Sequence, residues 1–198
     1  MVNIEMENIM KNIKNITISG RIGSGATTLA VKLSKELEWE MLDGGGLFRQ
    51  LEKEQGFDIN KSDSRPDHFD LQYEEMVKKN LREKKHQIIQ SHLAGFDAQE
   101  IEGVFKVLVI CEGEDGNDKT EIRVDRIVNR DKVSVEEAKN EIKQREEEHL
   151  KKFRRLYAEN DPSWVYWDKK YYDLIINTYS HNKEETFQLV LKALDINS

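Results

Sequence analysis

The stretch Gly20-Arg21-Ile22-Gly23-Ser24-Gly25-Ala26-Thr27-Thr28 decides the fold. It follows the apolar run Ile16-Thr17-Ile18-Ser19 and leads into a helical pattern, Leu29 to Leu37, with Leu29, Val31, Leu33 and Leu37 mostly at helical spacing. A strand, a glycine-rich turn and a helix in that order form the setting of a phosphate-binding loop, or P-loop. Glycines let backbone N–H groups wrap a phosphate, and the helix N-terminus adds its partial positive charge. One position departs from the pattern. Lys belongs directly before Thr27, and the chain has Ala26.

Working outward, strands and helices alternate. A first strand is expected over 13–19. Glu40-Met41-Leu42 reads as a second strand that ends in Asp43-Gly44-Gly45-Gly46, with a helix over 47–54. The polar stretch 56–68, with Pro66, reads as a loop. A charged helix is expected over 70–85, then a short strand, Gln87-Ile88-Ile89-Gln90. Val104 to Cys111 is the most apolar run and the best central strand. A glycine- and acid-rich turn spans 112–119. Ser134-Val135-Glu136-Glu137 is a capping box that starts a long helix over 135–157. Leu174-Ile175-Ile176 is a last strand, and 184–194 a last helix. This alternation implies an α/β fold with a parallel sheet covered on both faces. The boundaries expected are an N-terminal extension over 1–12 and one domain over 13–198, with helical excursions over about 47–85 and 118–160.

Composition narrows the function. The chain has 198 residues, enough for one domain with a sizeable core, and a formal net charge of -7. That balance argues against a general nucleic-acid binder and leaves room for a local cluster of arginines. Charged residues make up 35%, and no apolar run approaches the ~20 residues of a membrane span. Residues 1–15 carry no apolar core of a secretory signal. Cys111 is the single cysteine, which excludes an internal disulfide and suits a reducing cytoplasm.

The ordered motifs resemble the cytidylate kinase family of nucleoside monophosphate kinases, from about 16 to 194. They are the P-loop; Leu42-Asp43-Gly44-Gly45-Gly46-Leu47-Phe48-Arg49; Ser91-His92-Leu93-Ala94-Gly95-Phe96; Arg123, Arg126 and Arg130; Ser134 to Ala138 with Arg145-Glu146; and Tyr172 to Thr178. The resemblance implies a three-layer P-loop NTPase fold with a parallel sheet of about five strands. Its helical excursions would bind a monophosphate and form a lid. It further implies transfer of the γ-phosphoryl of ATP to CMP or dCMP with Mg²⁺, in a cytoplasmic monomer whose partners are nucleotides, with no nucleic acid or membrane.

Residue by residue, the resemblance puts ATP on Gly20, Arg21, Gly23, Ser24, Gly25, Ala26, Thr27 and Thr28, with the Thr27 hydroxyl on the metal. Arg126, Arg130 and Arg145 match phosphate-binding arginines of the lid. Asp43, Arg49, His92, His149 and Lys152 match acceptor-binding positions. Arginine suits such work because its planar fork binds two oxygens and stays charged. Bland readings stand beside these. Arg49 has a solvated helix charge as its plain alternative, and its spacing from Asp43 favours the acceptor-phosphate reading. Arg123, Arg126 and Arg130 also fit a basic stripe paired with Glu121 or Asp125. Glu146, Glu147 and Glu148 read as a solvated helix face. The aromatic group Trp164, Tyr166, Trp167, Tyr171 and Tyr172 reads as a satellite core.

Four positions besides Ala26 differ from the family pattern. Gln90 replaces an acid near the metal. His92 replaces an arginine and reads either as a pH-dependent phosphate donor or as a neutral, partly buried histidine. His149 replaces an acid, and Lys152 replaces an arginine with a point charge. The resemblance makes an active (d)CMP kinase the leading reading, and the alternatives are a nucleotide-binding protein without turnover and a P-loop kinase for another small acceptor.

Overall fold

The structure is a computed structural model that describes residues 13–55 and 65–194. The expected extension 1–12, the greater part of the 56–68 connection and the last four residues lie outside the described residues.

Five strands form one parallel sheet: β1 (Asn15–Gly20), β2 (Glu40–Asp43), β3 (Gln87–Gln90), β4 (Val104–Ile110) and β5 (Leu174–Asn177), in the order β2-β3-β1-β4-β5. Every residue of β1 and β3 is buried. That is why both read as short apolar or mixed runs with no solvent face. The helices are α1 (Ala26–Leu37), α2 (Gly44–Gln55), α3 (Asp67–Glu83), the single turn α4 (Ala94–Asp97), α5 (Thr120–Asp131), α6 (Val135–Tyr157) and α7 (Lys183–Ala193). The α/β class and five-stranded parallel sheet agree with the sequence reading.

Both faces of the sheet are covered. On one, Leu29, Ala30 and Leu33 of α1 and Phe187, Val190 and Leu191 of α7 close over Ile16, Ile18, Val107 and Ile176. On the other, Tyr73, Val77 and Leu81 of α3 and Ala94 of α4 meet Ile89 and Val104. A third cluster joins Ile22 of the P-loop to Val124, Ile127, Ala138 and Ile142 of α5 and α6. The aromatic group is the satellite core expected: Phe153, Trp164 and Tyr166 pack with Leu93, flanked by Phe96, Trp167 and Tyr171.

Local signals set most boundaries. Ser134 accepts from the Glu137 N–H while Glu137 reaches back to the Ser134 N–H, so α6 starts at the residue the capping box marks. Three helices start earlier than the sequence pattern; α3 begins at Asp67 rather than 70, so 67–68 are helical rather than loop. α1 begins at Ala26 rather than Leu29, because the P-loop itself winds into its first turn. α2 begins on the glycines at 44–46 rather than at Leu47. Among the described residues, no helix is long and apolar enough to cross a membrane.

Candidate phosphoryl-transfer site

The carboxyl ends of β1, β3 and β2 deliver Gly20, Gln90 and Asp43 to one edge of the sheet. The chain leaves β1 toward one side of the sheet and β3 toward the other, so the crevice between these strands is the switch point where open α/β sheets bind ligands. The P-loop bridges that point. Gly23 and Gly25 have φ of 77° and 104°, a region that costs other residues strain. A Cβ at Gly23 would also lie 2.7 Å from the Arg123 carbonyl oxygen. Gly25 caps α1 with no side-chain hydrogen bond to the first turn, and the first helical bond is Leu29 N–H to Gly25 O at 3.1 Å. The N–H groups before it have no partner within the helix. Ser24 is buried, while Thr27 and Thr28 are exposed on the cleft end of the helix.

Thr27 lies where a metal-facing hydroxyl is expected to meet the end of β3. Its Oγ1 donates to Gln90 Oε1 at 3.2 Å. Two neutral oxygens fit Mg²⁺, which keeps several waters and is usually carried by substrate phosphates. No group of three or more His, Cys, Asp or Glu side chains among the described residues offers a cage for a metal alone. Ala26 is 6% exposed and belongs to the main core.

Behind the loop runs a closed ring of charges. Arg21 donates to Glu146 through Nε at 3.0 Å and Nη2 at 2.6 Å, and lies 3.2 Å from Asp118. Arg123, fully buried, bonds Glu146 at 2.8 Å, Asp118 at 2.8 Å and the Ile22 carbonyl at 2.6 Å. The Arg21 guanidinium also lies 4.6 Å from the centre of the Trp167 ring. Glu146 is therefore no solvated charge. It sits at the hub of the ring at 9% exposure. The partners of Arg123 are Asp118 and Glu146, not Glu121 or Asp125. Arg126 points at the loop as well. Its Nη1 donates to the Gly23 and Ser24 carbonyls at 3.2 and 3.0 Å, and it bonds the Thr178 hydroxyl and carbonyl, each at 2.9 Å.

A second group of cations gathers on the cleft side. Arg49 pairs with Asp43 at 3.3 Å, Arg130 with Asp131 at 2.6 Å, and Arg145 with Glu141 at 2.7 Å. The Asp131 carboxyl is held below the usual range, first by its bond to Arg130 and also by the fields of Arg49 and Arg145. Arg49, Arg130 and Arg145 thus all lie within reach of the Asp131 charge, although they come from α2, α5 and α6. Among the described residues Arg145 Nε is buried with no hydrogen-bond partner.

His92 sits between the groups. Its Nδ1 lies 3.0 Å from the Gly20 carbonyl oxygen, which can only accept, so Nδ1 carries the proton. Burial, aided by Arg145, pushes its pKa down to about 4. The neutral reading is the one the structure supports, and a protonated His92 donating to phosphate is not. His149, 4.8 Å away ring to ring, is likewise driven well below its usual range by burial and by His92. Lys152 is fully buried and bonds Asp70 and the Arg65 carbonyl, each at 2.6 Å, tying α6 to α3. The sequence reading did not single out Arg65, whose guanidinium lies 4.2 Å from the Phe48 ring and pairs with the buried Asp70.

A sequence model of the cytidylate kinase-like family matches residues 15–180. A cytidylate kinase of Saccharolobus islandicus (strain Y.G.57.14) is 32% identical over 186 residues, covering 91% of this chain and 90% of that one. A cytidylate kinase of Methanopyrus kandleri is 30% identical over 192 residues, covering 91% and 92%. Among solved structures, an uncharacterized protein from Eubacterium ventriosum superposes with a TM-score of 0.63 at 16% identity, over 93% of this chain and 99% of its own. Shikimate kinase from Acinetobacter baumannii superposes with a TM-score of 0.53 at 15% identity, over 94% and 95%. These last two likenesses concern the fold alone.

Proposed function

The chain belongs to the cytidylate kinase-like family, and from that premise we propose that it is a nucleoside monophosphate kinase that moves the γ-phosphoryl of ATP to CMP or dCMP. The observation that carries this reading is the grouping of Arg49, Arg130 and Arg145 around Asp131, with a buried Arg145 donor left open, in a chain whose glycine-rich loop opens α1 at the switch point of the sheet. An acceptor that brings its own phosphate supplies what those groups lack.

The residues divide the work. The loop from Gly20 to Thr28 receives the donor phosphates on its backbone N–H groups. Thr27 and Gln90 face the Mg²⁺ that accompanies ATP. That ion neutralises charge and helps align the phosphates when bound. Asp43 orients Arg49, which holds the acceptor phosphate. Arg130 and Arg145 bridge the two phosphates and offset charge on the transferring group. Phosphoryl transfer needs positioning and charge offset rather than a covalent step on the protein. His92, neutral and held by Gly20 O, shapes the acceptor pocket with His149. Lys152 acts at a distance by fixing α3 against α6. Closure of α5 and α6 over the cleft excludes water, so that ATP is not hydrolysed. The same reading makes the protein a cytoplasmic monomer over one domain, with nucleotides as its partners.

Ala26 and Gln90 favour one second reading, a nucleotide-binding protein with little turnover. Each removes a charge from the transfer site, and loss of one transition-state contact costs about 10²–10³ in rate. The test is ADP formation from ATP and Mg²⁺ across CMP, dCMP, UMP, AMP and GMP, with ATP binding followed by calorimetry. ADP that depends on CMP or dCMP is the expected result. ATP binding with no product under any acceptor supports the second reading and overturns the first.

A further inference from the structure

The P-loop has no lysine at position 26, and its own arginine is already neutralised. Arg21 faces both Glu146 and Asp118. A positive charge reaches the loop from another side. Three successive carbonyls, those of Ile22, Gly23 and Ser24, accept from guanidinium groups of α5. The two arginines involved differ. Arg123 shares its charge with Asp118 and Glu146. The partners of Arg126 are all neutral: the Gly23, Ser24 and Thr178 carbonyls and the Thr178 hydroxyl. No carboxylate pairs with Arg126 among the described residues.

A half-buried cation without a counter-charge is costly unless something nearby uses its field. A peptide group that accepts from a cation at its carbonyl becomes a stronger donor at its N–H. The Ser24 carbonyl belongs to the peptide that ends in the Gly25 N–H, and Gly25 is the uncapped N-terminus of α1. Thr178 braces the arrangement, because its hydroxyl also donates to Ser24 O at 2.9 Å. We propose that Arg126 is a positioning residue that polarises the phosphate loop from behind and replaces, through the Ser24–Gly25 peptide, the charge that a lysine at position 26 would bring. This rests on the reading of the loop as the donor-phosphate site.

The probe is inorganic tripolyphosphate, titrated into the full chain without Mg²⁺ and followed by calorimetry. Arg126→Gln keeps hydrogen-bond donors and removes the charge. It is expected to weaken binding about tenfold. Arg126→Lys keeps the charge and is expected to lose clearly less. Adding Ala26→Lys to Arg126→Gln is expected to recover affinity, which repair of packing alone would not do. Binding by Arg126→Gln within twofold of the parent overturns the proposal. So does an Arg126→Lys loss as large as that of Arg126→Gln. If the parent itself does not bind tripolyphosphate, the loop is no phosphate site, and the proposed function fails together with the inference.

Discussion

The back of the phosphate loop and the cleft in front of it are both built from arginines, and they treat them in opposite ways. Behind the loop, Arg123 is fully buried between two acids. Its neighbour Arg21 reaches Glu146 across 125 positions of sequence. In the cleft, each arginine has one acid close by in the chain: Arg49 six positions from Asp43, Arg130 next to Asp131, and Arg145 four from Glu141. Pairs between distant elements hold those elements together. Pairs between residues close in the chain fix little beyond the side chain, and a phosphate can add to them or displace them. The same residue type is thus structural where the fold supplies two counter-charges and available where it supplies one.

The sharpest way to break this contrast is to remove one arginine from each group. Arg123→Ala leaves Glu146 and Asp118 short of a buried partner and frees the Ile22 carbonyl. It is expected to destabilise the protein by about 3–5 kcal/mol in urea unfolding. Arg49→Ala, which removes an exposed side chain, is expected to change stability by about 0–1 kcal/mol. Equal losses would mean that the cleft pairs are structural too.

Activity should reverse the ranking. Arg145→Ala removes the unpartnered donor and is expected to lower kcat/KM by about 10²–10³ with little change in the unfolding midpoint. Arg49→Ala is expected to raise the acceptor KM about tenfold, the cost of one charged contact, and to leave kcat nearly unchanged. Steady-state kinetics with the preferred acceptor tests both. A normal acceptor KM in Arg49→Ala would remove Asp43 and Arg49 from the acceptor site.

The two regions also differ in how well the sequence announces them. Gly20 to Thr28 gave the P-loop directly, because its glycines are needed for backbone shape. Ser134 and Glu137 gave a helix start for a similarly local reason. Glu146 was misread, because a run of glutamates on a charged helix resembles a solvated face. Yet Glu146, His149 and Lys152 fall on the same helical stripe as the buried Ala138, Ile142 and Phe153. On α3, Asp70 and Glu74 share the stripe of Tyr73, Val77 and Leu81. A charge on an apolar stripe signals a buried partner. It does not say which one, since Arg21 and Arg123, the partners of Glu146, come from other elements. Convergence of Arg49 with Arg130 and Arg145 likewise needs the tertiary fold.

Buried titrating groups give the most discriminating test, because their two kinds have opposite sign. His92 is held neutral beside the cleft, with its pKa down at about 4 against an ordinary 6.5. Below pH 6.5 the unfolded chain binds a proton that the folded one refuses. The stability from His92 is therefore complete above pH 6.5 and is lost as pH falls toward 4. Glu74 on α3 behaves the other way. Burial and the facing Asp97 raise its pKa well above 4.5. Folding then takes up a proton, so its contribution is complete below pH 4.5 and is lost as pH rises through the raised value. His92→Gln keeps a donor for Gly20 O and removes the titration. The gap between parent and variant should change by about 2–3 kcal/mol between pH 7.5 and 4.5, in favour of the variant at low pH. Glu74→Gln mimics the protonated acid and should stabilise by about 1 kcal/mol at pH 7.5, with no gain at pH 4.5. Urea midpoints at the two pH values decide. A His92→Gln gap that does not change between the two pH values would mean that burial does not hold His92 neutral, and a Glu74→Gln gap that does not change would mean the same for the raised carboxyl.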